Sequence, residues 1–125
     1  MTGTGLRVLL VDDEADILEV IQDRLEAYGF NVTTAGNGVE ALDRLARERF
    51  DGIFLDVKMP EMGGIEALEE IRKKDQQLPI IIITSSSTRE AAVDAIAKGA
   101  NDYVLKPFEW AELKAKIEKV YKITL

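Results

Sequence analysis

The chain contains neither cysteine nor histidine. Those two absences remove thiolate nucleophiles, zinc sites built on Cys or His, and imidazole acid–base chemistry from anything these residues do alone. Any phosphohistidine step therefore needs a second protein. No apolar stretch approaches the roughly 20 residues of a membrane-spanning helix, and no basic, apolar leader opens the sequence. A cytoplasmic location is the expectation that follows. A surplus of positive charge is also missing: the net charge is −7, which works against nonspecific nucleic-acid binding because such binding depends on neutralising phosphates. No direct nucleic-acid contact is expected. What remains, 125 residues with 46% apolar and 31% charged side chains, is the size and balance of one globular domain with two layers around a core.

No linker or low-complexity tract breaks the chain. Residues 1–5 form a polar, Gly-rich lead expected to be loosely held, and residues 6–125 one domain. The apolar runs Leu6–Val11, Val32–Ala35, Gly52–Leu55, Pro79–Ile83 and Tyr103–Leu105 are short and bounded by turn residues, as in strands buried in a parallel sheet. Between them lie helical periodicities: Ile17, Ile21 and Leu25; Val39, Leu42 and Leu45; Ile65, Leu68 and Ile71; Val93 and Ile96; and Leu113, Ile117 and Val120. Ser87 with Glu90 reads as a capping box for the fourth helix, and Gly99 suits its left-handed C-terminal position. Strict alternation of strand and helix implies right-handed crossovers and an α/β fold, a five-stranded parallel sheet with helices on both faces, for which 2-1-3-4-5 is the common order and the one expected here.

All strand carboxyl ends then share one edge. The first polar residues there are Asp12 and Asp13 after strand one, Asp56 after strand three, Thr84 after strand four and Lys106 after strand five. Each has an ordinary explanation alone: a helix cap, a loop start, a solvated strand end. The stretch FLDVKMPEMGG, Phe54–Gly64, is by itself a strand followed by a turn. Together the residues make a stronger case. The edge lies where the winding direction reverses between strands one and three, the place where such sheets bind ligands. Three carboxylates held close together repel unless a cation is present, and hard oxygen ligands suit Mg²⁺. Lys106 supplies a fixed positive charge and Thr84 a hydroxyl donor. Phosphoryl transfer requires this combination, and aspartate is an established nucleophile towards phosphorus.

The segments VLLVDDE (Val8–Glu14), LDVKMPEMGGIE (Leu55–Glu66), Thr84 and GANDYVLKPF (Gly99–Phe108) together resemble the receiver domains of two-component response regulators. The resemblance runs over nearly the whole chain after Gly5. It implies that Asp56 is the phosphoryl acceptor and that Mg²⁺ is held by Asp12, Asp13, Asp56 and the backbone carbonyl of Lys58. Asp13 is then the direct ligand, with Asp12 acting largely through water. Thr84 and Lys106 contact the phosphoryl group. The resemblance also implies a switch: Thr84 moves towards the phosphoryl oxygens and Tyr103 turns inward, reshaping the face of helix four, strand five and helix five. Without it, Tyr103 reads as a half-buried strand aromatic. The implied partners are a sensor histidine kinase or histidine phosphotransfer protein, and a downstream target protein or output domain. The chain is then no enzyme beyond catalysing its own phosphorylation and dephosphorylation. Receivers often carry a cis peptide at the position of Lys106-Pro107.

Two other readings compete. An Mg²⁺-dependent phosphatase of the haloacid dehalogenase type needs a second Asp two residues after its nucleophile, where Lys58 stands, and a cap domain for which there is no length. A flavodoxin-like or dinucleotide-binding module needs a phosphate-cradling loop after strand one, where DDEAD, Asp12–Asp16, would repel a phosphate. Lys58 and Ser86 border the expected phosphoryl position and are expected to set its lifetime. The Lys58 stem can lie across the line of water attack, and Ser86 is too short to orient a water.

Overall fold

The computed structural model describes residues 4–58 and 63–125, so the turn expected within residues 59–62 and the start of the N-terminal lead lie outside the described residues. Strands and helices alternate: β1 (Arg7–Val11), α1 (Ala15–Ala27), β2 (Asn31–Ala35), α2 (Gly38–Arg47), β3 (Gly52–Leu55), α3 (Gly64–Lys74), β4 (Ile80–Ser85), a 3₁₀ turn (Ser86–Thr88), α4 (Arg89–Ala97), β5 (Asp102–Lys106) and α5 (Trp110–Tyr121). The sheet has the order β2-β1-β3-β4-β5 and every pairing is parallel, as the alternation predicts. No described helix is long and apolar enough to cross a membrane.

The period-two geometry of a strand sorts the apolar runs onto two faces. Leu9, Val11, Ile53, Leu55, Ile80 and Ile82 pack with Ala41, Leu68, Ile71, Ala92 and Ala95 from α2, α3 and α4. Val8, Leu10, Phe54, Ile81, Ile83 and Val104 pack with Ile21, Leu25, Leu113 and Ile117 from α1 and α5. Burial on both faces explains why the strands read as continuous apolar runs rather than alternating ones. Gly64 starts α3 directly against the end of β3: a Cβ there would lie 2.2 Å from the Asp56 carbonyl oxygen, so only glycine permits the approach.

Three details depart from the sequence pattern. β4 and β5 run on past their apolar cores, so Thr84 and Lys106 lie within strands rather than after them, with Thr84 paired to Leu105 and Ser85 to Lys106. The ladder can continue because both polar side chains find partners at the sheet edge. The Ser87–Glu90 capping box does not form. Thr88 is the N-cap of α4, and the Ser87 hydroxyl instead meets that of Ser85 at 2.9 Å. Finally, Val93 and Ile96 are 51% and 38% exposed, and α4 faces the sheet with Ala92 and Ala95 instead. Gly99 does adopt the left-handed conformation expected of it, with φ +116°.

Candidate functional site

Val11 and Leu55 are register partners on adjacent strands, so the residues that follow them, Asp12 and Asp56, emerge side by side. Both are buried, at 2% and 4% exposure. Each carboxylate makes two kinds of contact. The Oδ1 atoms accept the backbone N–H two residues on, from Glu14 to Asp12 and from Lys58 to Asp56, each at 3.0 Å. This is the local turn that Asp commonly starts. The Oδ2 atoms face a shared cation: Lys106 Nζ donates to Asp12 at 2.7 Å and lies 3.5 Å from Asp56. The ordinary loop-starting role and the charged role therefore belong to the same residues. Thr84, fully buried at the end of β4, donates its hydroxyl to Asp56 Oδ1 at 2.6 Å.

Burial pushes the Asp56 carboxyl above its ordinary range. The Thr84 and Lys58 hydrogen bonds and the Lys106 charge act the other way, while the Asp12 charge adds to the rise. Burial pulls Lys106 down, but its hydrogen bond to Asp12 and the nearby carboxylates outweigh that and leave it raised, so it remains an ammonium. The buried pair lies beneath a cavity of about 340 Å³ bordered by Asp13, Asp56, Lys58, Thr84, Ser85 and Lys106. Asp13 and Glu14 are exposed at its rim. Asp12, Asp13, Glu14 and Asp56 each bring a carboxylate oxygen within 4.8 Å of the others. This all-oxygen, strongly negative and partly solvated donor set fits a hard divalent cation such as Mg²⁺.

The structure thus brings together Asp12, Asp13, Asp56, Thr84 and Lys106 as the sequence order implies. The Lys58 side chain is exposed beside the cavity. Ser86 opens the 3₁₀ turn, and its side chain lies outside the described residues. Tyr103 is half-buried. It pairs with Ile82, two residues before Thr84 and therefore on the same sheet face, and packs into the cluster beneath α4. Lys116 of α5 holds it from outside, with Nζ 5.0 Å from the ring centroid and hydrogen-bonded to the Tyr103 carbonyl. The Lys106-Pro107 peptide is cis.

Sequence reasoning passed over Glu14, although its place as the third acid of DDEAD was a sufficient signal. It also missed Thr88, whose hydroxyl meets that of Thr84 at 2.8 Å.

Comparison with known proteins agrees with this geometry. The family described as the response regulator receiver domain matches residues 8–118. The transcriptional regulatory protein ZraR of Escherichia coli K12 is 38% identical over 119 residues, which are 95% of this chain but 27% of ZraR. The chain thus spans about a quarter of the length of that relative. Among solved structures, the receiver domain of the sensor histidine kinase PA1611 from Pseudomonas aeruginosa, with magnesium coordinated in its active site cleft, superposes with a TM-score of 0.86 and 31% identity, covering 95% of this chain and 99% of that one. The response regulator TrrA from Thermotoga maritima, in complex with Mg²⁺–BeF, gives a TM-score of 0.83 and 39% identity over 92% of this chain and 98% of that one. With its five-stranded parallel sheet, its buried aspartate pair and the family match over residues 8–118, this chain belongs to the response regulator receiver domains of two-component signalling.

Proposed function

We propose that residues 6–125 act as a phosphoacceptor unit, in which Asp56 takes a phosphoryl group from a phosphohistidine of a sensor kinase or histidine phosphotransfer protein, or from a small phosphodonor. The observation that carries this reading is the set of contacts around Asp56: a buried carboxylate with a hydroxyl donor on one oxygen, an ammonium facing the other, and an open cavity above. An Asp56 oxygen attacks phosphorus, the P–N bond to the donor imidazole breaks, and its electron pair stays on the imidazole nitrogen. Thr84 and Lys106 are placed to receive the equatorial oxygens, offering a hydroxyl proton and a positive charge where charge develops. Asp12, Asp13, Asp56 and the Lys58 carbonyl would hold Mg²⁺, with Glu14 close enough to assist. When bound, Mg²⁺ supplies the positive charge that lets a phosphate approach the clustered carboxylates. The magnesium in PA1611 and the Mg²⁺–BeF in TrrA support that choice of cation.

The new anion then biases a two-state equilibrium by drawing Thr84 from Asp56 towards a phosphoryl oxygen and Tyr103 inward. That reshapes the face of α4, β5 and α5 for a target protein or output domain. The Lys58 stem, exposed beside the cavity, can lie across the route of attacking water and, with Ser86, is expected to set the lifetime; Lys58→Asn should shorten it. Apart from its own phosphorylation and dephosphorylation the unit turns nothing over. It acts in the cytoplasm, where its kinase's phosphohistidine is presented. The negative charge argues against nucleic-acid contact by these 125 residues, whereas the relative ZraR is a transcriptional regulatory protein whose greater length this chain does not cover.

Intact-mass analysis after acetyl phosphate and Mg²⁺ tests the reading. One added phosphoryl group, mapped to Asp56, dependent on Mg²⁺ and lost in Asp56→Asn, is expected. Undiminished labelling of Asp56→Asn overturns it.

A further inference from the structure

Thr88 is the N-cap of α4, yet its hydroxyl accepts from none of the helix's own N–H groups, the usual task of threonine at that position. It points backwards instead. Thr88 Oγ1 donates to the Ser85 carbonyl at 2.7 Å and meets Thr84 Oγ1 at 2.8 Å, while Thr84 Oγ1 donates to Asp56 Oδ1 at 2.6 Å. The line Ser85 carbonyl, Thr88, Thr84, Asp56 thus has three short contacts but only two hydroxyl protons. If Thr84 donates to Asp56 and Thr88 to Ser85, the middle contact has no proton and sets lone pair against lone pair. If Thr88 donates to Thr84, the Ser85 carbonyl loses the Thr88 hydroxyl but the Thr84 bond to Asp56 gains from the aligned chain. The Thr88 proton therefore has two competing acceptors, and the position of Thr84 decides between them.

The far end of α4 is held differently. Arg72 of α3 donates to the Gly99 carbonyl through Nε at 3.0 Å and Nη2 at 2.7 Å, while the helix itself buries only Ala92 and Ala95. A helix anchored at its C-terminal end and lightly packed along its length is most easily displaced at its N-terminus, where Thr88 sits.

We propose that Thr88 is a positioning residue that ties Thr84 to the first turn of α4, so that any shift of Thr84 is passed to the helix as an exchange of hydroxyl partners. This rests on the proposed phosphoryl reading only for the stimulus that moves Thr84. As Thr84 swings towards a phosphoryl oxygen, the contact with Thr88 opens, the Thr88 proton goes to Ser85 alone, and the N-terminus of α4 is released from the site.

Two measurements test this. In the unmodified protein, amide exchange of Ala92 and Val93, which report the first turn of α4, is compared in Thr84→Val, Thr88→Val and the double variant. Each single change should speed exchange roughly three- to tenfold, and the double variant no more than the larger single, since both remove the same Thr84–Thr88 contact. Multiplicative effects overturn the proposal, and Thr88→Ser should restore parental exchange where a purely structural role for the β-methyl would not. In the second measurement, acetyl phosphate and Mg²⁺ are added and the amide shifts of residues 88–93 are followed, normalised to the labelled fraction. Thr88→Val should lose more than half of the parent's shift change and Thr88→Ser should keep it; a full response in Thr88→Val overturns the proposal. Failure of the parent to take a phosphoryl group overturns the phosphoacceptor reading, and the exchange cycle still decides the role of Thr88.

Discussion

Helices α4 and α5 flank β5, one on each face of the sheet, and they are held by opposite means. α5 inserts Leu113 and Ile117, both 0% exposed, into the cluster shared with α1 and β1. α4 offers only Ala92 and Ala95, and leaves Val93 and Ile96 half in solvent. Its fixation comes from directional contacts at its two ends: the Thr88 hydroxyl at the start and the Arg72 fork at the finish. Burial is nondirectional and resists small displacements in every direction, whereas a hydrogen bond can be traded for another at little net cost. In the proposed switch α4 is the helix that moves, and it is held in the second way. The exposed Val93 and Ile96 also explain how a displacement of α4 would change an apolar surface offered to a partner.

Three substitutions break or sharpen the contrast. The largest effect is expected from Ile117→Ala, which removes a fully buried side chain of α5 and should lower unfolding free energy by about 2–5 kcal/mol in urea titration. A smaller loss, about 1 kcal/mol, is expected for Arg72→Ala, because the Gly99 carbonyl and the Asn101 side chain lose a partner while remaining open to water. Its signature should be local, with faster amide exchange at Lys98 and Gly99. The smallest effect is expected for Ile96→Thr, within about 0.5 kcal/mol of the parent by the same titration. If Ile96→Thr cost as much as Ile117→Ala, α4 would be held by burial and the contrast would fail.

The part of this architecture that lies along the chain was legible in it. Five apolar runs separated by helical periodicities imply a parallel sheet with right-handed crossovers, for which the observed order is a common one, and the polar residues after those runs fall together at its edge. What stayed hidden depends on contacts between distant segments. Arg72 reaches Gly99 across 27 positions, and nothing in the neighbourhood of either residue announces the pairing. The face of α4 was misread because Val93 and Ile96 carry a stronger apolar signal than Ala92 and Ala95, although small residues allow closer approach to a sheet. Thr88 was hidden by the more familiar Ser87–Glu90 spacing. Its hydroxyl finds the end of β4 only because the 3₁₀ turn folds it back there.

Asp56 also has a consequence for the stability of the whole fold. Its carboxyl is held above the ordinary 3.8 chiefly by burial, so the folded chain binds that proton more tightly than the unfolded chain does. As pH rises from 3.8 through the raised folded value, the unfolded state gains more from ionisation, and the contribution of Asp56 to stability falls. At neutral pH the proposed acceptor is a thermodynamic burden that an amide would not impose. Asp56→Asn should therefore melt at a higher temperature than the parent at pH 7, and the gap should close as the medium is acidified below 3.8. On the proposed reading the residue that carries the signal is one that a search for stability alone would discard, and its place at the carboxyl edge of the sheet suits a fold built for transmission rather than for rigidity.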